Sequence, residues 1–302
     1  MIPGINQWSL PLGEGDLLTV LRQAVGAKIP NVELCIEPVA PQEVGVAAAE
    51  PELDDVFQLV ARAVSAKQYL LKLFASNREL DELKSTFARA GAKIISVTTL
   101  DLFRYTLTSN DAKTREAAEL IIRRMIELCS YLGGSIVLIE PGVVTSSLPY
   151  RDAYRNCRES IRKLARYAEQ RNVTLALENV WGRFLMSPLE FRGLLEETGS
   201  EAVGAYFDVA NILEYGFPQD WIRVLAEKIK SIHFKDYRLG LGAGGFCNPF
   251  DGDVGWVEVR KALGEIGYDG YVVAEALKPA VWQQGFIAEL GGKLDHFIRG
   301  LV

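Results

Sequence analysis

Three carboxylates and one imidazole stand at the ends of short apolar runs in the second half of the chain. They are Glu178 in LALENV, Asp208 in AYFDVAN, His233 in SIHFKDYR and Glu275 in VVAEAL. Such a mixed oxygen and nitrogen donor set suits Mn, Co or Mg, and it lacks the thiolates or several histidines typical of structural zinc. Each residue alone has a plainer reading. A carboxylate at a strand end caps the next helix or pairs with Arg or Lys, and a lone His is commonly a hydrogen-bonded core residue. Random placement would not put four such groups at the same end of four successive runs. The set is therefore read as a site for one divalent ion, Mn2+ first, with Co2+ or Mg2+ as alternatives.

If the four runs are neighbouring parallel strands about 4.8 Å apart, those ending in Glu178 and Glu275 lie on the order of 10 to 14 Å apart. Two inward glutamates then flank a small molecule from opposite sides. A metal chelated by a carbonyl oxygen and the adjacent hydroxyl of a sugar stabilises the enediolate formed when the intervening C–H proton leaves. One glutamate takes that proton and the other returns one on the opposite face, which inverts the carbon. The same enediolate can instead expel a β-hydroxyl. A dehydratase of a keto-inositol or keto-sugar, and a non-catalytic sugar-binding barrel, therefore stand beside the epimerase or isomerase reading.

These roles require elements that bring the four ends together. Apolar runs rich in Ile and Val recur at residues 5–9, 32–36, 94–98, 136–139, 174–177, 203–207, 231–235 and 271–274, each followed by a segment of helical periodicity. Inward stripes are clear in Ile121, Met125, Leu128 and Leu132, in Ile161, Leu164, Ala165 and Ala168, and in Trp221, Leu225 and Ile229. Ser187, Pro188 and Glu190 mark a helix start with a capping box, predicting a helix over residues 187–198. Eight βα units without a GxGxxG or Walker-type loop predict an α/β fold of the (β/α)8 TIM-barrel type, one domain over residues 1–302. Two stretches are longer than a βα unit needs. The excursion over residues 37–93 holds a loop at 38–51 and two helical patterns, and YRLGLGAGGFCNPFDGDVGW follows the seventh run. Both loops are expected to close over the barrel mouth, or else to be tolerated surface insertions.

The chain has 302 residues, 49% hydrophobic and 24% charged, with a formal net charge of −6 and no Lys/Arg track. That balance excludes a nucleic-acid partner. No run approaches the roughly 18 apolar residues of a membrane span. The opening MIPGINQWSL lacks a secretory pattern, and Cys35, Cys129, Cys157 and Cys247 show no CxxC spacing. Reduced thiols and a cytoplasmic location are expected.

The motifs GINQWSL, NVELCIE, LALENVWGRF, YFDVANILEYG, IHFKDYR, GDVGW and GYDGYVVAE, spread over essentially the whole chain, resemble the sugar phosphate isomerase/epimerase family. These are xylose isomerase-like TIM barrels that include ketose 3-epimerases, ribulose-phosphate 3-epimerases and hydroxypyruvate isomerases. The resemblance implies that Glu178, Asp208, His233 and Glu275 bind the metal and that Glu178 and Glu275 transfer the protons. It also implies a small sugar or sugar phosphate as partner. A homo-oligomer, dimer or tetramer, is an open expectation that the sequence does not decide. Three positions depart from the ketose 3-epimerase pattern. Asn211 stands where a His is common, Arg238 falls one residue before the expected arginine, and Phe184 replaces a second glutamate. The endonuclease IV type of this superfamily needs a histidine-rich, three-metal site, and a chain whose only histidines are His233 and His296 does not match it.

Other candidates for substrate contact are Trp8, Phe103 and Trp181, as an apolar wall for the C–H face of a sugar, or as core aromatics. Asn211 is a hydrogen-bonding candidate. Lys235 and Arg238 are expected either to hold phosphate or hydroxyl oxygens or to pair with Asp236. Glu33, inside an apolar run, is either a site residue or a buried acid paired locally. His296 is expected to be solvated.

Overall fold

The computed structural model describes residues 1–12, 15–46, 51–64, 69–276 and 285–301. Eight strands, β1 (Ile2–Asn6), β2 (Asn31–Ile36), β3 (Lys93–Thr99), β4 (Ile136–Ile139), β5 (Thr174–Glu178), β6 (Val203–Asp208), β7 (Ile229–Phe234) and β8 (Tyr271–Ala274), close into a barrel. Every neighbouring pair is parallel, including β8 with β1. The helices α1 (Leu17–Gly26), α2 (Pro51–Val64), α3 (Asn77–Ala90), α4 (Ala112–Leu132), α5 (Tyr150–Glu169), α6 (Pro188–Glu197), α7 (Pro218–Leu225), α8 (Trp256–Glu265) and α9 (Phe286–Ile298) follow in chain order. The expected (β/α)8 architecture is what the chain forms.

The stripes predicted from periodicity are buried. Ile121, Met125 and Leu128 of α4, and Ile161, Leu164 and Ala165 of α5, are at most 1% exposed. Each large apolar side chain buried this way contributes roughly 1.5–3 kcal/mol. Gly133 ends α4 in the left-handed conformation at φ 85°, which a residue with a Cβ resists, and so turns the chain into β4.

Three boundaries differ from expectation. The first strand spans Ile2–Asn6 and not residues 5–9, because the Asn6 side chain accepts from the Ser9 backbone N–H and starts a 3-10 turn at Gln7–Ser9. Ile229 opens β7 instead of continuing the Trp221 stripe, since α7 ends at Leu225 and a 3-10 turn, Ala226–Lys228, intervenes. Ser187 precedes α6 without a side-chain cap, and the Glu190 carboxylate accepts from the Tyr150 hydroxyl at 2.7 Å instead of closing a capping box.

One buried cluster, Ile95 of β3, Ile136 and Leu138 of β4, Ala176 of β5, Tyr206 of β6 and Val273 of β8, fills the barrel interior. Strand side chains alternate faces, so a residue two positions beyond an inward one is also inward. Two beyond Leu138, Ala176, Tyr206 and Val273 stand Glu140, Glu178, Asp208 and Glu275. The packed middle of the barrel thus aims a ring of acids into its C-terminal mouth.

Candidate functional site

Glu178, Asp208, His233 and Glu275 converge, each offering one ligand atom, with all four atoms within 4.8 Å of one another. His233 sits in register with Asp208 across the β6–β7 pair. Its Nδ1 lies 2.9 Å from Glu178 Oε1 and 3.1 Å from Glu275 Oε2, with Asp208 Oδ2 at 3.8 Å. The opposite ring nitrogen, Nε2, is 3.0 Å from Glu33 Oε1, and Ser96 Oγ donates to the other Glu33 oxygen at 2.9 Å. With a divalent ion among the carboxylates, a proton kept on Nε2 and donated to Glu33 would leave Nδ1 free to serve as a ligand atom. That is the usual way a metal-binding histidine is oriented.

Asp208 divides its two oxygens. Oδ1 accepts from the backbone N–H groups of Ala210 at 2.7 Å and Asn211 at 3.0 Å, which fixes the turn after β6. Oδ2 points to the cluster, 2.8 Å from Lys235 Nζ. Lys235 also reaches Glu275 Oε2 at 3.2 Å. Asn179 ties β5 to β6, accepting from the Asp208 N–H at 2.9 Å and donating to the Asp208 carbonyl at 2.8 Å.

The electrostatics of the mouth follow from burial and like charge. Burial pushes the Glu178 carboxyl up to about 7, with the nearby His233 pulling it down and Asp208 and Glu275 raising it. Burial alone would lower the basicity of His233, but Glu275, Glu33 and Glu178 outweigh it and hold the imidazole well above its ordinary range. The Lys235 ammonium is likewise raised by Asp208 and Glu275 against its own desolvation. Glu33, Glu178, Asp208 and Glu275 thus draw positive charge into one small volume. A divalent cation fits this donor set, with the two cationic side chains supplying the charge otherwise.

The remaining candidates separate. Trp8 and Phe103 pack in one apolar cluster over the mouth with Cys35, Val143, Val180 and the α2 residues Leu53 and Phe57. Trp181 is not part of that wall. It meets Tyr237 edge-to-face and Phe246 at a tilt, and its Nε1 donates to the Asn211 carbonyl at 2.5 Å. Asn211 donates to the Asn179 carbonyl at 3.0 Å, which places it in the β5–β6 network. Arg238 follows the first strand of a two-stranded ribbon, Asp236–Tyr237 with Phe246–Cys247, and its Nε donates to the Asp251 carbonyl at 2.9 Å. Asp236 is no ion-pair partner for Lys235 or Arg238. Its fully buried carboxylate accepts from the N–H groups of Tyr237, Phe250 and Val254 and from Trp256 Nε1. Phe184 packs against Tyr150 and Tyr154, away from the mouth, so its position could not serve as a second glutamate. His296 is exposed, as expected.

Of the two expected lids, the 38–51 loop forms a 3-10 turn at Pro41–Val44, and its residues 47–50 lie outside the described residues. The covering element is α2. Arg104 anchors it, with Nε 2.7 Å from Asp54 and the guanidinium 3.8 Å from the Phe57 ring centroid. A cavity of about 230 Å³ opens at the opposite end of the barrel, near Lys93, Gly133 and Ser135, and contains none of these acids. Chemistry and not volume marks the mouth.

Glu140 escaped the sequence reading. It follows the apolar run IVLI just as Glu178 follows TLAL, and it is 4% exposed. Burial, then Glu178, hold its carboxyl well above the carboxylate range.

Comparison with known proteins fits this geometry. A family model described as the xylose isomerase-like TIM barrel matches residues 42–288. The chain belongs to that family. Among curated relatives, this xylose isomerase-like barrel is similar to an inosose dehydratase of Clostridium perfringens, 24% identical over 143 residues that cover 41% of this chain and 48% of that protein. The chain spans about half the length of the curated relatives it matches. Among solved structures, it superposes on D-psicose 3-epimerase with D-tagatose from Clostridium cellulolyticum H10 with a TM-score of 0.72 at 16% identity, covering 100% of this chain and 99% of that one. It superposes on an IOLI protein with a bound zinc atom with a TM-score of 0.70 at 16% identity, covering 99% and 96%. At these identities the structural matches establish the shared barrel. Among the described residues no helix is long and apolar enough to cross a membrane.

Proposed function

We propose that this barrel is a divalent-metal-dependent enzyme that epimerises or isomerises a sugar or sugar phosphate beside its ketone, with Mn2+ as the first candidate ion. The observation that carries the reading is that Glu178 from β5 and Glu275 from β8 reach the same His233 nitrogen, at 2.9 and 3.1 Å. Two acids from strands three places apart around the barrel thereby face one small volume. A bound divalent ion would supply Lewis-acid stabilisation of the enediolate oxygens. Glu178 and Glu275 exchange the proton on opposite faces of the carbon. Lys235 balances charge beside Asp208 and Glu275, and α2 with Trp8 and Phe103 keeps water from the mouth. The reading takes residues 1–302 as one barrel domain.

A dehydratase is the second reading, supported by the inosose dehydratase relatives and by the Lys235 ammonium, placed to protonate a departing hydroxyl. One experiment separates the two. Protein loaded with Mn, desalted and assayed for retained metal is incubated in D2O with ketoses, ketose phosphates and keto-inositols, followed by NMR. Deuterium at C3 without loss of water is the epimerase result, and deuterium at C1 is the aldose–ketose isomerase result. Loss of water is the dehydratase result, and ligand binding without exchange is that of a sugar-binding barrel. Glu178→Gln and Glu275→Gln should each leave exchange from one epimer and lower turnover by a factor on the order of 10² to 10⁴. Equal loss from both epimers in both metal-loaded variants refutes the two-base assignment.

A further inference from the structure

The wall of the mouth opposite the metal cluster carries polar groups that the proposed proton transfer does not use. Asn6 at the end of β1, Thr98 near the end of β3 and Glu140 just past β4 are 0%, 1% and 4% exposed, and Trp8 beside them is 9% exposed. Each has a buried polar atom without a hydrogen-bond partner: Asn6 Nδ2, Trp8 Nε1, Thr98 Oγ1 and Glu140 Oε2. Native interiors rarely leave such atoms unpaired, and four together at one barrel end indicate a ligand that completes them. Their position follows from register. Asn6 pairs with Glu33 and Thr98 with Cys35, while Glu140 lies two residues beyond the inward Leu138. The Cys35 thiol feels both Glu140 and Glu33, and Glu140 feels Glu178, so the arc and the metal cluster share one space.

We propose that Asn6, Trp8, Thr98 and Glu140 form a second polar subsite, which binds neutral hydroxyl groups of the substrate remote from its reacting carbon. Two of the free atoms only donate, the threonine hydroxyl donates or accepts, and the Glu140 oxygen serves a hydroxyl as acceptor or, protonated, as donor. Hydroxyls, which do both, satisfy all four. A phosphate would find donors there, but Asn6, Trp8, Thr98 and Glu140 include no Lys or Arg to balance its charge, and it would face Glu178 and Glu33. The subsite therefore selects the uncharged polyol end of a substrate, and a phosphorylated end is rejected there. This inference deepens the sugar-transforming reading and rests on it for the identity of the reacting end.

The test uses the full chain loaded with Mg2+, with D-tagatose, D-fructose, myo-inositol and D-fructose 6-phosphate as probes, and reads affinity by saturation-transfer NMR and calorimetry. Glu140→Leu should weaken the tightest neutral polyol at least tenfold while leaving the thermal midpoint unchanged or higher, because a buried carboxyl with one unpartnered oxygen has been removed. A merely structural residue would show a lowered midpoint. Glu140→Gln, which keeps a donor and an acceptor, should restore affinity to within a few fold, and Thr98→Val should weaken the same polyol. Affinities within twofold of wild type in Glu140→Leu and Thr98→Val overturn the subsite, as does wild-type protein that binds none of the neutral polyols. Tighter binding of the phosphate than of the free ketoses, undiminished in Glu140→Leu, overturns the choice of a neutral end. If polyol binding depends on Glu140 but no deuterium exchange occurs with any substrate, the proposed reaction fails and the subsite stands.

Discussion

Glu33→Gln tests whether the metal centre depends on a residue that would not itself touch the ion. The Glu33 side chain is fully buried and holds two contacts, His233 Nε2 at 3.0 Å and Ser96 Oγ at 2.9 Å. Glutamine keeps the shape and one acceptor oxygen but removes the charge, so the imidazole loses a charge-assisted partner and becomes a poorer donor through Nδ1. A hydrogen bond to a charged group is worth about 1.5–3 kcal/mol and a neutral one about 0.5–1.5 kcal/mol. The difference, about 1–1.5 kcal/mol, corresponds to roughly a tenfold loss of metal affinity, at the lower end of the 10–100-fold cost usual for such supporting groups. The assay is competition for Mn2+ against a fluorescent chelator near neutral pH, with Ser96→Ala as a control expected to lose less. Affinity within twofold of wild type in Glu33→Gln would show that the Nε2 contact does not orient the ligand. A loss beyond about 10³-fold would show that Glu33 is itself a ligand.

Two further tests concern the cover and its support. Burial pushes the Asp101 carboxyl up to about 6 despite the Val39 N–H at 2.9 Å and the nearby Arg104, so the folded state holds a proton that the unfolded chain releases near pH 4. Its contribution is therefore full below about pH 4 and lost as pH rises through 6, at most about 3 kcal/mol. Urea midpoints between pH 4 and 7 should fall less in Asp101→Asn than in wild type, and parallel curves would contradict this. Arg104→Ala removes the Asp54 pair and the contact with Phe57, and should lower hydrogen-exchange protection of α2 about tenfold relative to α4. Equal loss in both helices would mean that Arg104 stabilises the whole barrel and not its cover.

The four acid and imidazole residues were legible because strand periodicity and a shared position at the ends of apolar runs are properties of the sequence itself. Glu140 obeys the same rule and was still missed. It is followed by Pro141 and Gly142, which reads as the start of a turn and directs attention from the strand end. Glu33 was left between two readings, since an acid in a buried strand declares itself only when its partner, His233 on a strand 200 residues later, is known. Trp181, Phe184 and Arg238 lie in loops after β5 and β7, where direction is set by tertiary neighbours and no period applies. Their placement with the ribbon or the helix layer was therefore beyond the reach of pattern. The covering role of α2 was hidden for a similar reason, because an amphipathic helix in sequence does not say which surface its apolar face meets.

Asp236 gives the loop after β7 an unusual mechanical character. Four donors, from Tyr237, Phe250, Val254 and Trp256, end on one carboxylate, so the two ends of the excursion are clamped at its base while the tip near residues 239–244 stays exposed. The hydrogen bonds of the tip go to Tyr237, Asp253 and Glu214, and not to His233 or Lys235. Changes of sequence at the tip are therefore expected to leave the geometry of the acids below in place. A lineage of such barrels can in this way vary what is admitted to the mouth while keeping the same chemistry beneath it.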